Sequence, residues 1–204
     1  MDYRRMDASD LVADPMEQLS VWLADAFAAG LVDAHAMVLS TAGADGRPRG
    51  RHVLCKGIGP DGLRFFTSYG SRKARQIEEN PWGSATFPWF MMRPGRQAIV
   101  EGSIEQLPAA DSDEYFASRD RGSQVGAWAS DQSAVIPDRA WLDARVAEIE
   151  ARFPNEVPRP PGWGGYRLRP EVVELWQSCP NRLHDRFRYT AADGGAWTLE
   201  RLSP

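Results

Sequence analysis

The chain has 204 residues, 43% hydrophobic and 25% charged, which is enough for one substantial core and ordinary for a soluble globular protein. Its 28 acidic and 24 basic side chains leave a formal net charge of −4, which argues against a general polyanion-binding surface and confines any anion site to a local cluster of arginine and lysine. The first 30 residues lack the apolar run of a signal peptide, and Cys55, Cys179 and three scattered histidines lack metal-ligand spacing, so a cytosolic protein with free thiols and no metal is expected.

Residues 1–13 are polar and are expected to be mobile. Asp14-Pro15 is a helix start, a capping side chain followed by proline in the first turn, and Met16, Leu19, Leu23, Ala26 and Phe27 repeat at helical spacing until Gly30. From Ala36 the period changes to that of strands. Runs over 36–41, 49–57, 63–68, 84–89 and 97–107 alternate with turn chemistry such as Gly43-Ala44-Asp45-Gly46 and Gly59-Pro60-Asp61-Gly62. Close spacing of this kind predicts an antiparallel barrel rather than a doubly wound sheet, and no GxGxxG follows a strand.

Within the run 49–57, alternation puts Arg51, Val53 and Cys55 on one face and His52, Leu54 and Lys56 on the other. The two cations therefore start on opposite sides and serve two different anions only if the strand bends or lies at a shared cleft, and Cys55 is expected in the core. Ser71 then caps a helix ending at Asn80-Pro81, whose first turn carries Arg72, Lys73 and Arg75. Cations there oppose the helix dipole; they become favourable if an anion sits at that end, and are otherwise a solvated face. Beyond it, Tyr115, Arg119 and Ser123 recur every four residues, a hydroxyl–guanidinium–hydroxyl set on one face if the helix is continuous, with Gly122 a possible break.

Pro137 opens a further helix with Trp141, Val146 and Ile149 as its apolar stripe, and the Pro/Gly-rich segment 154–165 makes a stiff connection. Short strands over 166–169, 172–177 and 197–202 complete the sheet, with Trp176 expected to pack in the core. Arg182-Leu183-His184-Asp185-Arg186 also has strand alternation, placing Arg182, His184 and Arg186 on one face, either as a solvated edge or against an anionic or electron-rich ligand.

Taken in order, Arg51-His52-Val53-Leu54-Cys55-Lys56, Gly70-Ser71-Arg72-Lys73, Ser118-Arg119, the stretch 123–128 with Gln132-Ser133, Trp163-Gly164-Gly165-Tyr166, Glu174-Leu175-Trp176-Gln177 and Arg182-Leu183-His184-Asp185-Arg186 resemble the pyridoxamine 5'-phosphate oxidase family over residues 14–204. The resemblance implies an α+β, mainly antiparallel split β-barrel that binds FMN. It also implies a single domain over 1–204 and a homodimer with sites at the subunit interface, to which residues 164–204 contribute. By motif, the flavin falls to Arg51, His52, Val53, Leu54, Cys55, Lys56, Phe66, Thr67, Arg72, Lys73, Gln97, Gln132, Ser133, Trp176 and Arg186. The phosphate of the B6 vitamer falls to Lys56, Tyr115, Arg119 and Ser123, and its pyridine ring to Arg182, Leu183 and His184, with Arg182 and His184 as the catalytic pair.

The implied reaction is oxidation of pyridoxamine or pyridoxine 5'-phosphate to pyridoxal 5'-phosphate by dioxygen, with hydrogen peroxide released. A related flavin oxidase of phenazine-precursor type and a non-enzymatic flavin- or pyridoxal-phosphate-binding protein are the alternatives. The chain departs from the family pattern in its short N-terminal segment around Tyr3, Arg4 and Arg5, its longer loop 90–95, Phe66 in place of the usual tyrosine and Cys55 in place of leucine.

Overall fold

The computed structural model describes residues 4–204. Helix α1 (Pro15–Ala28) starts where the Asp14 carboxylate accepts the N–H groups of Met16 and Glu17, and it buries Met16, Leu19, Trp22 and Ala26. Trp22 takes the place in the apolar stripe that the spacing gives to Phe27, which is 45% exposed and stacks on His35 instead.

The sheet comprises β1 (Ala36–Ala42), β2 (Pro48–Leu54), β3 (Gly57–Gly59), β4 (Gly62–Ser68), β5 (Trp82–Trp89), β6 (Arg96–Gln106), β7 (Trp163–Gln177), β8 (Asp185–Ala191) and β9 (Trp197–Leu202). All pairings are antiparallel and the path runs β2-β1-β5-β6-β7-β4-β3, with β8 and β9 continuing from the upper half of β7. β2 is therefore an edge strand, paired only with β1, and the curled sheet brings it near β4 across the mouth of a split barrel. The barrel interior is filled from alternate positions, including Met37 and Leu39, Phe65, Ala85 and Phe87, Ala98 and Val100, Val173 and Leu175, and Phe187 and Tyr189.

Helix α2 (Arg72–Glu79) connects β4 to β5, and α3 (Ala109–Ala117), α4 (Arg121–Ala129) and α5 (Arg139–Arg152) connect β6 to β7. The last three form a smaller apolar cluster of Phe116, Val125, Ala129, Ile149, Val157 and Trp163. Two cores result, and the space between them is lined by residues of both.

Three expectations about the C-terminal half change. The runs 166–169 and 172–177 are one strand, because β7 takes up the irregularity as a bulge: Glu101 pairs with Val172 and Gly102 with Pro170, leaving Glu171 as the extra residue. Gly102 is required there, since a Cβ would lie 1.8 Å from the Arg169 carbonyl oxygen. Trp176 does not pack in the core: Val173, Leu175 and Gln177 take the inward positions of β7, leaving Glu174 and Trp176 on the outer face. Residues 182–186 are not a single strand either. Pro180–Arg182 form a 3-10 turn in which Asn181 (φ 57°) and Arg182 (φ 62°) are left-handed, and β8 begins only at Asp185.

The N-terminal segment also differs from expectation over its described residues 4–13; Tyr3 lies outside them. Met6 is buried and donates its N–H to Asp185 Oδ2 (2.9 Å), the Arg4 carbonyl accepts from Gln177 Nε2 (3.1 Å), and the Val12 carbonyl accepts from Tyr189 Oη (2.8 Å). The polar composition that reads as a mobile tail is instead a strap bonded to β7 and β8. Among the described residues no helix is long and apolar enough to cross a membrane, and no group of histidine, cysteine and carboxylate side chains is arranged to hold a metal.

Candidate active site

A cavity of about 580 Å³ opens between the two cores. One side is the free edge of β2 from Arg51 to Leu54, with Lys56 just beyond; the others are Phe66, Thr67 and Ser68 of β4, Lys73 of α2, and Tyr115, Arg119, Ser123, Gly126, Ala127, Ser130, Gln132 and Trp163. Because the cavity runs along an edge strand, residues from both faces of β2 reach it. This is the shared cleft on which joint action by Arg51 and Lys56 depended.

Among the described residues four cations, Arg51, Lys56, Lys73 and Arg119, line this space, and no carboxylate does. Like charges a few ångströms apart repel by several kcal/mol at an effective dielectric of about 20, so such a set is held against its own field unless an anion joins it. Two of them, Arg51 and Lys73, are fixed by neutral acceptors. Arg51 donates to the Leu39 carbonyl and Thr41 Oγ1 (both 2.8 Å) and to Gln76 Oε1 (3.1 Å). Lys73 is buried and donates to Thr67 Oγ1 (2.9 Å), Ser71 Oγ (3.3 Å) and Gln132 Oε1 (3.3 Å). Burial, and then the charge of Arg51, push the Lys73 ammonium down to about 8. Burial likewise lowers Arg51, with Arg72 and Arg49 adding to the effect, and lowers Arg119.

Arg119 carries the clearest unmet demand, because its Nη1 is buried with no hydrogen-bond partner. Its guanidinium lies over the Trp163 ring at 4.8 Å. Trp163 continues an aromatic wall in which Phe66 stacks on Tyr115 (3.9 Å between centroids) and on Trp163 (5.7 Å). Gly165 permits that wall, since a Cβ there would meet the Phe66 ring at 2.7 Å.

The continuous helix that would align Tyr115, Arg119 and Ser123 is absent. The chain breaks between α3 and α4, where Asp120 caps α4 by accepting the Ser123 N–H (2.8 Å), yet all three residues still line the cavity. The first turn of α2 is also partly satisfied from within. Ser71 Oγ accepts from the Ala74 N–H, and Ser133 Oγ, on a residue at φ 76°, accepts from the Arg72 N–H (3.2 Å). Gln132 bonds Thr67, Ser68 and Lys73, so the 132–133 turn clasps β4 to α2.

The remaining sequence-predicted residues fall elsewhere. The Arg72 side chain is exposed and borders an adjoining groove with Arg49, Arg75, Asp45 and Glu79. The Cys55 side chain does not reach the cavity: it is buried in the main core, donates to the Gly57 carbonyl (3.3 Å), and burial pushes its thiol up to about 11. Gln97, Trp176 and Arg186 are aligned neighbours across β6, β7 and β8, on the outer face of the sheet. The His184 ring lies 4.6 Å from Trp176, and its Nδ1 accepts the Cys179 N–H (3.1 Å). Arg182 and Leu183 are exposed. One chain therefore presents two groups of site residues, the cationic cavity and an outer-face group, rather than one assembled site. Sequence reasoning missed Thr41 and Gln76, which hold Arg51; a glutamine buried on the same helix face as Lys73 was the available signal.

Comparison with known proteins gives this division a context. Residues 23–153 match the family described as pyridoxamine 5'-phosphate oxidase, and residues 163–204 match the pyridoxine 5'-phosphate oxidase C-terminal dimerisation region. Two relatives named pyridoxine/pyridoxamine 5'-phosphate oxidase are 53% identical (Acidothermus cellulolyticus; 96% of this chain, 88% of the relative) and 49% identical (Salinispora arenicola; 96% and 89%). Among solved structures, PhzG from Burkholderia lata, determined with tetrahydrophenazine-1-carboxylic acid, aligns over 100% of this chain and 99% of its own at 33% identity with a TM-score of 0.92. A pyridoxamine 5'-phosphate oxidase-related, FMN-binding protein from Nostoc punctiforme, at 19% identity and a TM-score of 0.75 over 95% and 100%, shares the fold. With matches that span both the barrel and its C-terminal strands, the chain belongs to the pyridoxamine 5'-phosphate oxidase family.

Proposed function

We propose that this protein is an FMN-dependent oxidase that converts pyridoxine or pyridoxamine 5'-phosphate to pyridoxal 5'-phosphate, working as a homodimer. The observation that carries this reading is the cavity lined by Arg51, Lys56, Lys73 and Arg119 and, among the described residues, by no carboxylate, in a chain of net charge −4. Cofactor and substrate each bring a phosphate, and two dianions account for a cationic lining that neutral ligands would leave uncompensated.

The residues fit the flavin in kind. Arg51 and Lys73, with Arg72 at the neighbouring rim, supply cations to its phosphate; Thr67, Gln132 and Ser133 supply neutral polar groups beside them. Lys56, Tyr115, Arg119 and Ser123 form the set for the substrate phosphate, with the partnerless Nη1 of Arg119 as its anchor. Gln97, Trp176 and Arg186 would reach the flavin from the other subunit, and Arg182, Leu183 and His184 the substrate ring. Support for that arrangement comes from their place on an outer sheet face and from the dimerisation-region match over residues 163–204.

Bound FMN supplies a two-electron acceptor for the substrate C4' carbon and a route for those electrons to dioxygen, so that alcohol and O2 give aldehyde and H2O2, and the amine with water also gives ammonia. The chain's own part is binding, orientation and charge. Arg182 stays protonated and positions the ring rather than taking a proton. Because His184 Nδ1 accepts a backbone N–H, a neutral ring carries its proton on Nε2, so His184 offers the substrate a donor. Phe66, Tyr115 and Trp163 close the cavity with apolar surface that displaces water.

The test is to load the protein with FMN, add pyridoxine 5'-phosphate in air, and follow pyridoxal 5'-phosphate and peroxide together. Stoichiometric formation of both is expected; bound flavin with no turnover of either vitamer would sink the proposal. The likeness to PhzG makes tetrahydrophenazine-1-carboxylic acid the control compound, and its preferential turnover would move the assignment to the second reading.

A further inference from the structure

Glu174 is named by no step above, yet it holds one of the residues that face the flavin in this reading. It sits on the outer face of β7 two residues before Trp176, opposite Arg188 in the β7–β8 register, and its carboxylate is only 17% exposed. Both of its oxygens are used on one partner: Arg186 Nε donates to Oε1 (2.8 Å) and Arg186 Nη2 to Oε2 (3.1 Å). Arg186 Nη1 donates to the Ser203 carbonyl (3.0 Å). A guanidinium has five N–H donors in a rigid fork, so these three bonds fix its plane and leave two N–H groups for a ligand. The Arg186 side chain is 30% exposed, and its sheet neighbour is Trp176. A bidentate arginine–carboxylate pair in this setting has the geometry that holds a side chain in one orientation.

We propose that Glu174 is a positioning residue that, with the Ser203 carbonyl, aims the two remaining N–H groups of Arg186 at the flavin and offsets the arginine's charge, setting the flavin's reduction potential. This rests on the reading that Arg186 faces the flavin. The pair is close to neutral as a unit and presents directed donors without a full uncompensated charge. Two-electron reduction adds negative charge to the flavin, so an unpaired guanidinium beside it favours the reduced form more than the paired one does.

The measurement is the FMN midpoint potential by spectroelectrochemistry, with FMN affinity by fluorescence titration, on wild type, Glu174→Gln, Arg186→Gln and the double variant. Glu174→Gln is expected to bind reduced FMN about tenfold more tightly relative to oxidised FMN, a rise of about 30 mV for a two-electron couple. In the Arg186→Gln background Glu174→Gln should still raise the potential, because it removes a carboxylate left unpaired, but should no longer change FMN affinity, because no guanidinium is left to orient. If Arg186→Gln changes affinity or potential while Glu174→Gln changes neither, the positioning role is overturned and the placement of Arg186 stands. If the two substitutions add in FMN affinity, Glu174 acts on the flavin by some route other than orienting Arg186 and the proposal is also overturned. If Arg186→Gln alters neither quantity, the placement of Arg186 beside the flavin fails, and the inference fails with it.

Discussion

Lys73 is the residue where position and chemistry are most tightly bound together. It is buried among Thr67, Ser71 and Gln132, and that burial, with the nearby charge of Arg51, takes its ammonium down to about 8. Raising the pH through that value discharges the ligand-free site, so FMN affinity should weaken as the pH rises above about 8, and Lys73→Met should flatten that dependence in a fluorescence titration. The sign for folding is the opposite. Unfolded chains hold this proton up to the model-compound value of 10.5, so the cost of the buried charge is full below about 8 and fades as pH rises from 8 to 10.5. On this account the cofactor-free protein gains stability from Lys73 deprotonation over the same range in which it loses affinity. The arginine and lysine positions were legible in the sequence as an excess of cations at a helix start. The neutral acceptors that hold them were not, because Thr41 and Gln76 meet Arg51 only through long-range packing.

The elements show which local signals survive folding. The α1 and α2 starts at Asp14-Pro15 and Ser71 were legible because a capping side chain acts within its own turn. The four-residue spacing of Tyr115, Arg119 and Ser123 pointed to the right residues through the wrong local structure. Asp120 ends one helix frame and caps the next, and the three side chains converge because α3 and α4 both pack against Trp163. Asp120→Ala should therefore destabilise the fold through the lost cap, read as a drop in the denaturant midpoint. It should also raise KM for the phosphorylated substrate more than it lowers kcat, since it releases Ser123. The alternation that read 182–186 as a strand failed for a different reason. Two successive left-handed residues at Asn181 and Arg182 fold the chain back before β8, and nothing in the pattern of side chains reports a backbone reversal made without glycine.

For the molecule as a whole, the decisive fact is that the proposed site divides between the cationic cavity and the outer sheet face. On the proposed reading each site of a two-fold dimer takes its cavity from one subunit and its Trp176 and Arg186 from the other. Mixing inactive Lys73→Met chains with inactive Trp176→Ala chains through a denature–renature cycle should restore about a quarter of wild-type activity, because half of the dimers are mixed and each mixed dimer has one intact site. No recovery with mixed dimers demonstrably present would place both groups in the same subunit's site. The fold class and the order of the sheet-forming runs were legible from turn chemistry and strand spacing. The division of the site was not, because the motif order along the chain says nothing about which copy each motif serves.

The free edge of β2 that borders the cavity has a colloidal consequence. An unpaired strand edge is a template for pairing with another chain, and this one is guarded on its own chain by Pro48, Arg49 and Arg51 and otherwise opens into the ligand space. Ligands that fill the cavity also shield that edge. The FMN-free protein should consequently scatter light at a lower temperature on warming than the loaded protein, and inorganic phosphate, which can occupy the cationic cluster without covering the strand, should protect less well than FMN.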